Sequence, residues 1–263
     1  MKKSILLISV VSCLGQALSG QFTFAPDLYI GAAPTNNNYV GLDRIGDAGV
    51  FEISGFRTDQ DTDADTLTVS IKSTYFDNSQ SGTSLLGTAL GDLFISSTGL
   101  SWDTTAETLN DSFAIPGSTK WDFGIDLPET FSQAGLASVY SITDDNILLS
   151  NDVLEPTNNI YRADQEVALT GLQPNQAVST AEWSFSFDDP NEGVLSMTIN
   201  NVSSLFGAGN TLGFHWTMTC ANDVIEFEHV ILTPVPEPAT LGLLGGFGLI
   251  GYLFIRRRFK TRQ

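Results

Sequence analysis

Basic side chains are scarce in this sequence, which has 12 lysines and arginines against 30 aspartates and glutamates. Residues 21–233 contain 29 of the acidic residues and only five basic ones, a net charge of −24. Nucleic-acid phosphates and anionic lipid head groups would be repelled, which excludes both as direct partners of this part of the chain. Divalent cations and neutral or cationic polymers fit such a charge better. The five basic residues are Arg44, Arg57, Lys72, Lys120 and Arg162.

Cysteine and histidine are almost absent, with two residues of each. Cys13 lies in an N-terminal apolar stretch, which leaves Cys220 as the one cysteine of residues 21–233. An intramolecular disulfide is then excluded, and the apolar core has to provide the stability alone. A chain of this length can bury enough surface to do so.

Nucleophilic chemistry has few candidate residues. His215 lies five residues before Cys220, a spacing that suggests a cysteine–histidine dyad, but their parity along a strand differs. We expect Cys220 to point into the core with Phe214 and Trp216, and His215 to share the polar face with the neighbouring threonines. The other histidine, with adjacent acids, is a weak zinc candidate (His229 with Glu226 or Glu228). We therefore predict that the protein is not an enzyme.

The N-terminus has the three parts of a secretory signal peptide. Lys2 and Lys3 precede an apolar stretch, residues 5–14, and small residues follow at signal-peptidase spacing. We expect residues 1–20 to be removed, with cleavage near Ser19 or Gly20. An N-terminal membrane anchor is a weaker alternative because the apolar run is short. A lipoprotein is another alternative, in which Cys13 would carry the lipid.

The C-terminus, residues 234–263, also has three parts. A proline-rich segment comes first, and its prolines favour an extended backbone without N–H donors (Val235, Pro236, Glu237, Pro238, Ala239 and Thr240). An apolar, glycine-rich run of membrane-spanning length follows. A basic cluster then stops transfer and stays cytoplasmic (Arg256, Arg257, Arg258 and Lys260).

This arrangement resembles the PEP-CTERM sorting signal of exported proteins in exopolysaccharide-producing Gram-negative bacteria. The resemblance implies recognition and cleavage by an exosortase, a membrane-embedded cysteine transpeptidase. It also implies anchoring in the inner membrane during processing, followed by release to the cell surface or extracellular matrix. A plain single-pass anchor is the alternative.

Residues 21–233 show period-two alternation in at least five places, which predicts half-buried antiparallel strands. Glycine, asparagine, aspartate and proline clusters separate these runs. We predict an all-β fold, an antiparallel β-sandwich of about ten strands that is jelly-roll-like. Residues 131–139 are a candidate for one or two helical turns. The alternating apolar runs begin at Leu67, Trp121, Trp183, Leu195 and Phe214.

A second, looser resemblance concerns this central part. Residues 91–95, 162–167 and 214–226 look like segments that recur in one group of PEP-CTERM surface proteins. The likeness supports the class and adds no chemistry.

Two features are candidate binding sites. Four alternating aspartates precede the strand that starts at Thr66, and such carboxylates can bind calcium, although the EF-hand pattern fails (Asp59, Asp61, Asp63 and Asp65). A solvated acidic loop is the alternative. Trp102 is the one tryptophan outside an alternating run and is the candidate for stacking on a sugar.

We therefore predict a non-enzymatic exported surface or matrix protein with signal peptidase, an exosortase and the inner membrane as partners. A carbohydrate-binding module that acts on exopolysaccharide is the first alternative, with calcium as a candidate stabilising ion. A jelly-roll glycosidase is the second, because a pair of acids is all that this chemistry requires.

Overall fold

The computed structural model describes residues 23–27, 29, 42–80, 88–101, 118–128, 133–153, 161–189 and 191–233. These residues form eleven strands and four short helices, with 3-10 turns at Asp144–Asn146 and Pro174–Gln176. In chain order the elements are α1 (Ala48–Phe51), β1 (Ile53–Asp61), β2 (Thr66–Ser73), α2 (Thr74–Gln80), β3 (Leu93–Ser96), β4 (Phe123–Asp126), β5 (Ala134–Ser141), β6 (Ile147–Leu149), α3 (Ser150–Val153), β7 (Glu166–Leu169), β8 (Ala177–Asp189), β9 (Glu192–Asn200), α4 (Val202–Phe206), β10 (Thr211–Thr217) and β11 (Val224–Val230).

Nine of these strands form one antiparallel sheet in the order β1-β2-β9-β8-β5-β4-β3-β10-β11. The sheet curls until its two edge strands touch through side chains. The rings of Phe56 on β1 and Phe227 on β11 stack at 4.0 Å, and Thr58 Oγ1 lies 3.0 Å from His229 Nδ1. The sheet is therefore nearly closed, and we call this contact between β1 and β11 the seam.

The main apolar core lies on the inner face of this curled sheet. Its members alternate along the strands as the sequence pattern predicted, and β9 shows this most clearly, because every second residue from Gly193 to Ile199 is buried. Trp183 and Trp216 are both buried in this core. The Trp216 indole N–H donates to the carbonyl of Gly91 at 3.0 Å, which satisfies its polar atom away from water.

The prediction of an all-β fold with antiparallel pairing is confirmed. The β-sandwich is not confirmed, because hydrogen bonds connect nine strands in one continuous sheet. The helical turns predicted for residues 131–139 are wrong, since β5 begins at Ala134 and pairs with β4 and β8. Pairing on both edges outweighed the weak local preference for helix. Gly135 fits this strand because the Trp183 ring lies over it, 3.0 Å from where a Cβ would be.

A smaller layer covers part of the outer face of the sheet. The β6–β7 pair forms a separate two-stranded sheet. With residues near Trp121 it buries a second apolar cluster that includes Phe94 and Tyr140. Trp121 was predicted to share a face with Ile125, but it lies in this outer cluster while Ile125 lies in the inner core. As a result, the strands under this layer are buried on both faces.

This layer overturns one prediction for β10. His215 was expected on a polar, wet face, but its side chain is completely buried, and Thr217 is buried as well. Alternation alone could not reveal this, because polar residues on the second face normally indicate solvent. The β6–β7 layer replaces solvent at this position.

No helix among the described residues has the length and apolar character to cross a membrane. The predicted signal peptide at residues 1–20 and the sorting tail at residues 234–263 lie outside the described residues. The boundaries of the three predicted segments stay a prediction.

We predict that Cys220 reacts with a maleimide only after denaturation. Its side chain is buried, and burial raises the pKa of the thiol to about 12, so the reactive thiolate is not populated at neutral pH. A Cys13→Ser background leaves Cys220 as the single thiol, and mass spectrometry of labelled protein with and without guanidinium gives the measurement. Rapid labelling of the folded protein would contradict the buried position.

Candidate functional site: a buried polar network beneath β7

The outer face of β3, β10 and β11 carries polar side chains that β7 and its flanking residues seal from water. The buried polar residues include Asp92, Arg162, Glu166, His215, Asp223 and Glu226. They belong to residues 91–95, 162–167 and 214–226, the three segments singled out in the sequence. The fold therefore brings these distant segments together at one place.

His215 is the centre of one half of this network. The β10–β11 hairpin places His215 opposite Glu226, and His215 Nδ1 lies 2.9 Å from Glu226 Oε1. The other ring nitrogen, Nε2, lies 2.8 Å from the carbonyl oxygen of Glu166 on β7. The Glu166 carboxylate in turn accepts the indole N–H of Trp121 at 2.6 Å. One histidine thus connects β11, β7 and the residues that precede β4.

The surroundings of His215 favour its charged form. Burial by itself lowers the pKa of His215, but the hydrogen bond to Glu226 and the charges of Glu166 and Glu226 outweigh burial and raise it. The rings of Trp121 and Phe94 pack around the imidazole, with centroids at 5.5 and 5.9 Å. The two acids therefore favour the imidazolium form of this buried histidine.

Asp92 attaches β7 to the start of β3. One carboxylate oxygen accepts the N–H of Leu127 at 2.7 Å and the other accepts the N–H of Leu169 at 2.6 Å. The N–H of Asp92 donates to the carbonyl of Val167 at 3.0 Å. The adjacent Gly91 permits the close approach of both β7 and β10, because a Cβ there would lie 2.8 Å from the carbonyl oxygen of Val167 and 2.0 Å from that of Thr217.

Arg162 is the centre of the other half. It is completely buried, and Nη2 donates to the carbonyls of Leu42 at 2.7 Å and Asp43 at 2.5 Å. Burial lowers the pKa of Arg162, while the charges of Asp223, Asp43, Tyr29 and Asp27 oppose that effect. The guanidinium is therefore surrounded by carboxylates from three separate parts of the chain.

Asp223 is the most deeply buried of these acids. Its two oxygens accept the N–H groups of Ile53 at 2.6 Å and Val224 at 3.0 Å. Burial, followed by the nearby charge of Asp43, raises the pKa of Asp223 well above its usual range, although Arg162 acts in the opposite direction. Burial and Asp43 therefore favour the protonated form of Asp223, whereas Arg162 and the two N–H donors favour the carboxylate.

These carboxylates also have the chemistry of a cation site. Of the residues that the structure describes, Asp27, Asp43 and Asp223 form the one acidic group whose ligand atoms all lie within 4.8 Å of one another. Carboxylate oxygens are ligands for calcium. The same three carboxylates, however, interact with Arg162, so the chain supplies a cation of its own. The arrangement is best described as a buried arginine with its counter-ions.

A small cleft opens beside the two halves of the polar network, which are centred on His215 and Arg162. It is lined by Tyr29, Thr119, Trp121 and the two buried glutamates, with no room for a sugar ring. Both ring nitrogens of His215 already face acceptors within the protein. The cleft therefore does not present the acid pair that glycoside hydrolysis requires, because Glu226 is bound to His215.

The aspartates of the predicted calcium loop lie at the turn between β1 and β2. Asp61 accepts the N–H groups of Asp63 and Ala64, each at 2.9 Å. The Asp65 carboxylate accepts the N–H and the hydroxyl of Ser203, each at 2.8 Å. Two of the carboxylates therefore stabilise the turn and its contact with α4, while Asp59 is exposed on β1. Calcium binding at these four residues stays a prediction.

The structure does not bring the other candidate residues together. Both oxygen partners of His215 are glutamate atoms, so a dyad with the buried Cys220 has no support. The ring nitrogens of His229 lie 3.0 Å from Thr58 Oγ1 and 3.3 Å from Gln60 Oε1, across the seam. Trp102, the sorting motif and the basic cluster lie outside the described residues.

The network was missed in the sequence for identifiable reasons. His215 and Glu226 are equidistant from the centre of a hairpin turn, and this register could have predicted that their side chains meet. Arg162 is one of only five basic residues in residues 21–233, but no local pattern marked it as buried. The convergence of its three aspartates depends on long-range contacts, which periodicity does not encode.

We predict that Arg162→Met lowers the free energy of unfolding by about 3–5 kcal/mol, because it leaves buried carboxylates without their cation. Lys120→Met is the matched control. Its ion pair with Asp144 is 3.0 Å long but more than half exposed, so the change should stay within about 1 kcal/mol. Urea titration of both variants gives the measurement. Equal stability of the two variants would show that Arg162 has no such role.

Comparison with known proteins gives one match. No curated protein and no solved structure matches the chain. The family model described as the PEP-CTERM protein-sorting motif matches residues 234–258, directly after the last described residue, Thr233. This match confirms the resemblance found in the sequence and indicates an exported protein that is sorted through the membrane. The chain is therefore identified as a protein that carries a PEP-CTERM sorting motif.

Proposed function

We propose that this protein is a non-enzymatic surface or extracellular-matrix protein, which an exosortase processes at residues 235–240. The position of the sorting motif carries the proposal. It follows a folded all-β body without any intervening domain, so the body is the cargo that the tail delivers.

The contacts at the end of the folded body support the distinction between the body as cargo and the tail as sorting signal. The side chain of Gln60 on β1 accepts the N–H of Leu232 at 2.7 Å and donates to the carbonyl of the same residue at 3.2 Å. The backbone is thus fixed at Leu232, and the matched motif starts at residue 234. Removal of the tail leaves every described strand intact, which suits a protein that functions after cleavage.

The chemistry of the described residues supports a role without catalysis. Both histidines have their ring nitrogens occupied, and the Cys220 thiol is held in its protonated form. Three glutamates that lie within strands next to bulky apolar residues are the acids to test for a glycosidase, and they lie in different environments. Glu226 is buried against His215, Glu228 is exposed and accepts the N–H of Leu100 at 2.8 Å, and Glu182 is exposed on β8. Four strands separate β8 from β11 in the sheet.

Charge also fits a location outside the cell. The −24 charge of residues 21–233 keeps such a domain soluble and separates it from anionic membranes once the tail has been removed. Exopolysaccharide is the polymer that we propose it meets there. The carbohydrate-binding alternative depends on Trp102, because the other three tryptophans are buried.

We predict that the mature protein, expressed with a matching exosortase, lacks residues 241–263. A double variant, Pro236→Ala with Pro238→Ala, should retain them, because the extended recognition segment is lost. Intact-mass analysis of surface and membrane fractions gives the measurement. Pro174→Ala is the control, since it alters an exposed proline of the body and should leave processing unchanged. A mature form that still carries Arg256 to Arg258 would contradict the proposal.

We also predict that the purified protein releases no reducing ends from the host exopolysaccharide. The comparison includes Glu182→Gln, Glu226→Gln and Glu228→Gln. Activity that one of these substitutions removes would favour the glycosidase.

A glycan array with wild type and Trp102→Ala tests the binding module, because binding that the substitution abolishes would favour that function over a purely structural one.

A further inference from the structure

The attachment of β7 to the sheet combines apolar contacts with contacts of ionisable side chains. Asp92 accepts the N–H of Leu169, the carbonyl of Glu166 lies 2.8 Å from His215 Nε2, and Arg162 donates to residues 42 and 43. A main-chain hydrogen bond from Asp92 to the Val167 carbonyl also joins β7 to the start of β3. By contrast, neighbouring strands of the large sheet share continuous ladders, as between β8 and β9.

The protonation state of His215 follows from its geometry. A neutral imidazole has one N–H donor and one acceptor nitrogen. Both nitrogens of His215 face oxygen acceptors, Glu226 Oε1 at 2.9 Å and the Glu166 carbonyl at 2.8 Å. With Glu226 as a carboxylate, two donors are therefore needed, and the imidazolium provides both. A neutral ring would then direct a lone pair at one of these oxygens in a place sealed from solvent.

The groups that face His215 come from every element around it. Glu226 belongs to β11, Glu166 belongs to β7, and the uncharged rings of Trp121 and Phe94 pack at the sides. Tyr29 lines the adjacent cleft with both glutamates. Loss of its proton would remove a positive charge that both glutamates face.

We propose that the His215 imidazolium is a pH-dependent latch, which holds the β6–β7 layer on β10 and β11. Loss of the proton at alkaline pH loosens this layer while the large sheet stays folded. The sorting motif indicates an exported protein, and the surroundings of such a protein are not buffered by the cytoplasm. The latch would therefore respond to the medium outside the cell, and its opening would expose the cleft beside Trp121.

The direction of the effect follows from linkage. The pKa of His215 is raised in the folded protein, so the unfolded chain loses this proton at lower pH than the folded chain does. The stabilisation is complete below about pH 6.5, the ordinary histidine value, and is lost as the pH rises through the raised value. Each unit by which folding raises the pKa corresponds to about a tenfold change in the opening equilibrium.

The two histidines make the titration directly testable. Burial lowers the pKa of His229, whereas the acids around His215 raise its pKa. Nitrogen-15 imidazole spectra of the full chain in detergent, assigned with His229→Asn, should show one histidine that titrates above pH 6.5 and one that titrates below it. A His215 ring that is neutral at pH 6 would overturn the proposal.

Hydrogen exchange tests the mechanical consequence. We expect protection factors of β7 amides to fall by about tenfold or more between pH 6 and a pH above the His215 titration, while those of β9 stay constant. Glu226→Gln should move this loss to lower pH, because a glutamine amide can donate to a neutral imidazole. His229→Asn should leave it unchanged. Equal behaviour of β7 and β9, or an unmoved midpoint in Glu226→Gln, would overturn the latch.

Discussion

The burial of β10 and of the first half of β11, residues 224–227, on both faces is the constraint on which the described structure depends. Polar groups that are sealed from water must find partners within the protein, since an unpaired buried charge is costly. His215 therefore lies between two glutamates, Asp92 accepts two backbone N–H groups, and Arg162 lies among three aspartates. Together with the apolar contacts around Phe94 and Val167, these polar contacts attach the outer layer to the sheet.

The sequence predicted those parts of the fold that local patterns determine. Alternation located β2, β8, β9 and β10, because one buried face leaves a period of two in each strand. It failed for β5, whose pairing on both edges outweighs its local preference, and for the outer face of β10. The prediction of a β-sandwich also relied on the general observation that chains with many strands often form two packed sheets. Curling of one sheet leaves the same sequence pattern, so periodicity cannot distinguish the two.

The candidate site was less predictable than the fold, for a related reason. The charge count showed that residues 21–233 are strongly acidic, and acidic side chains are normally exposed to solvent. The structure buries several of them because rare cations are placed beside them. Arg162 and His215 are buried, whereas Lys120 is exposed. In an acidic protein, the few basic residues are therefore the better guide to buried polar networks, since each can neutralise several neighbouring acids.

The edge strand β1 also holds the two ends of the described chain. β1 and β11 are the two edges of the sheet, and β1 contacts both ends of the described chain. Ala25 pairs with Phe56, and Gln60 holds Leu232. Phe56 and Gln60 are four residues apart on one strand, a span of about 13 Å. Residues 25 and 232, near the two ends of the described chain, are therefore held by the same edge strand, and the contacts that hold them are independent of the β6–β7 layer.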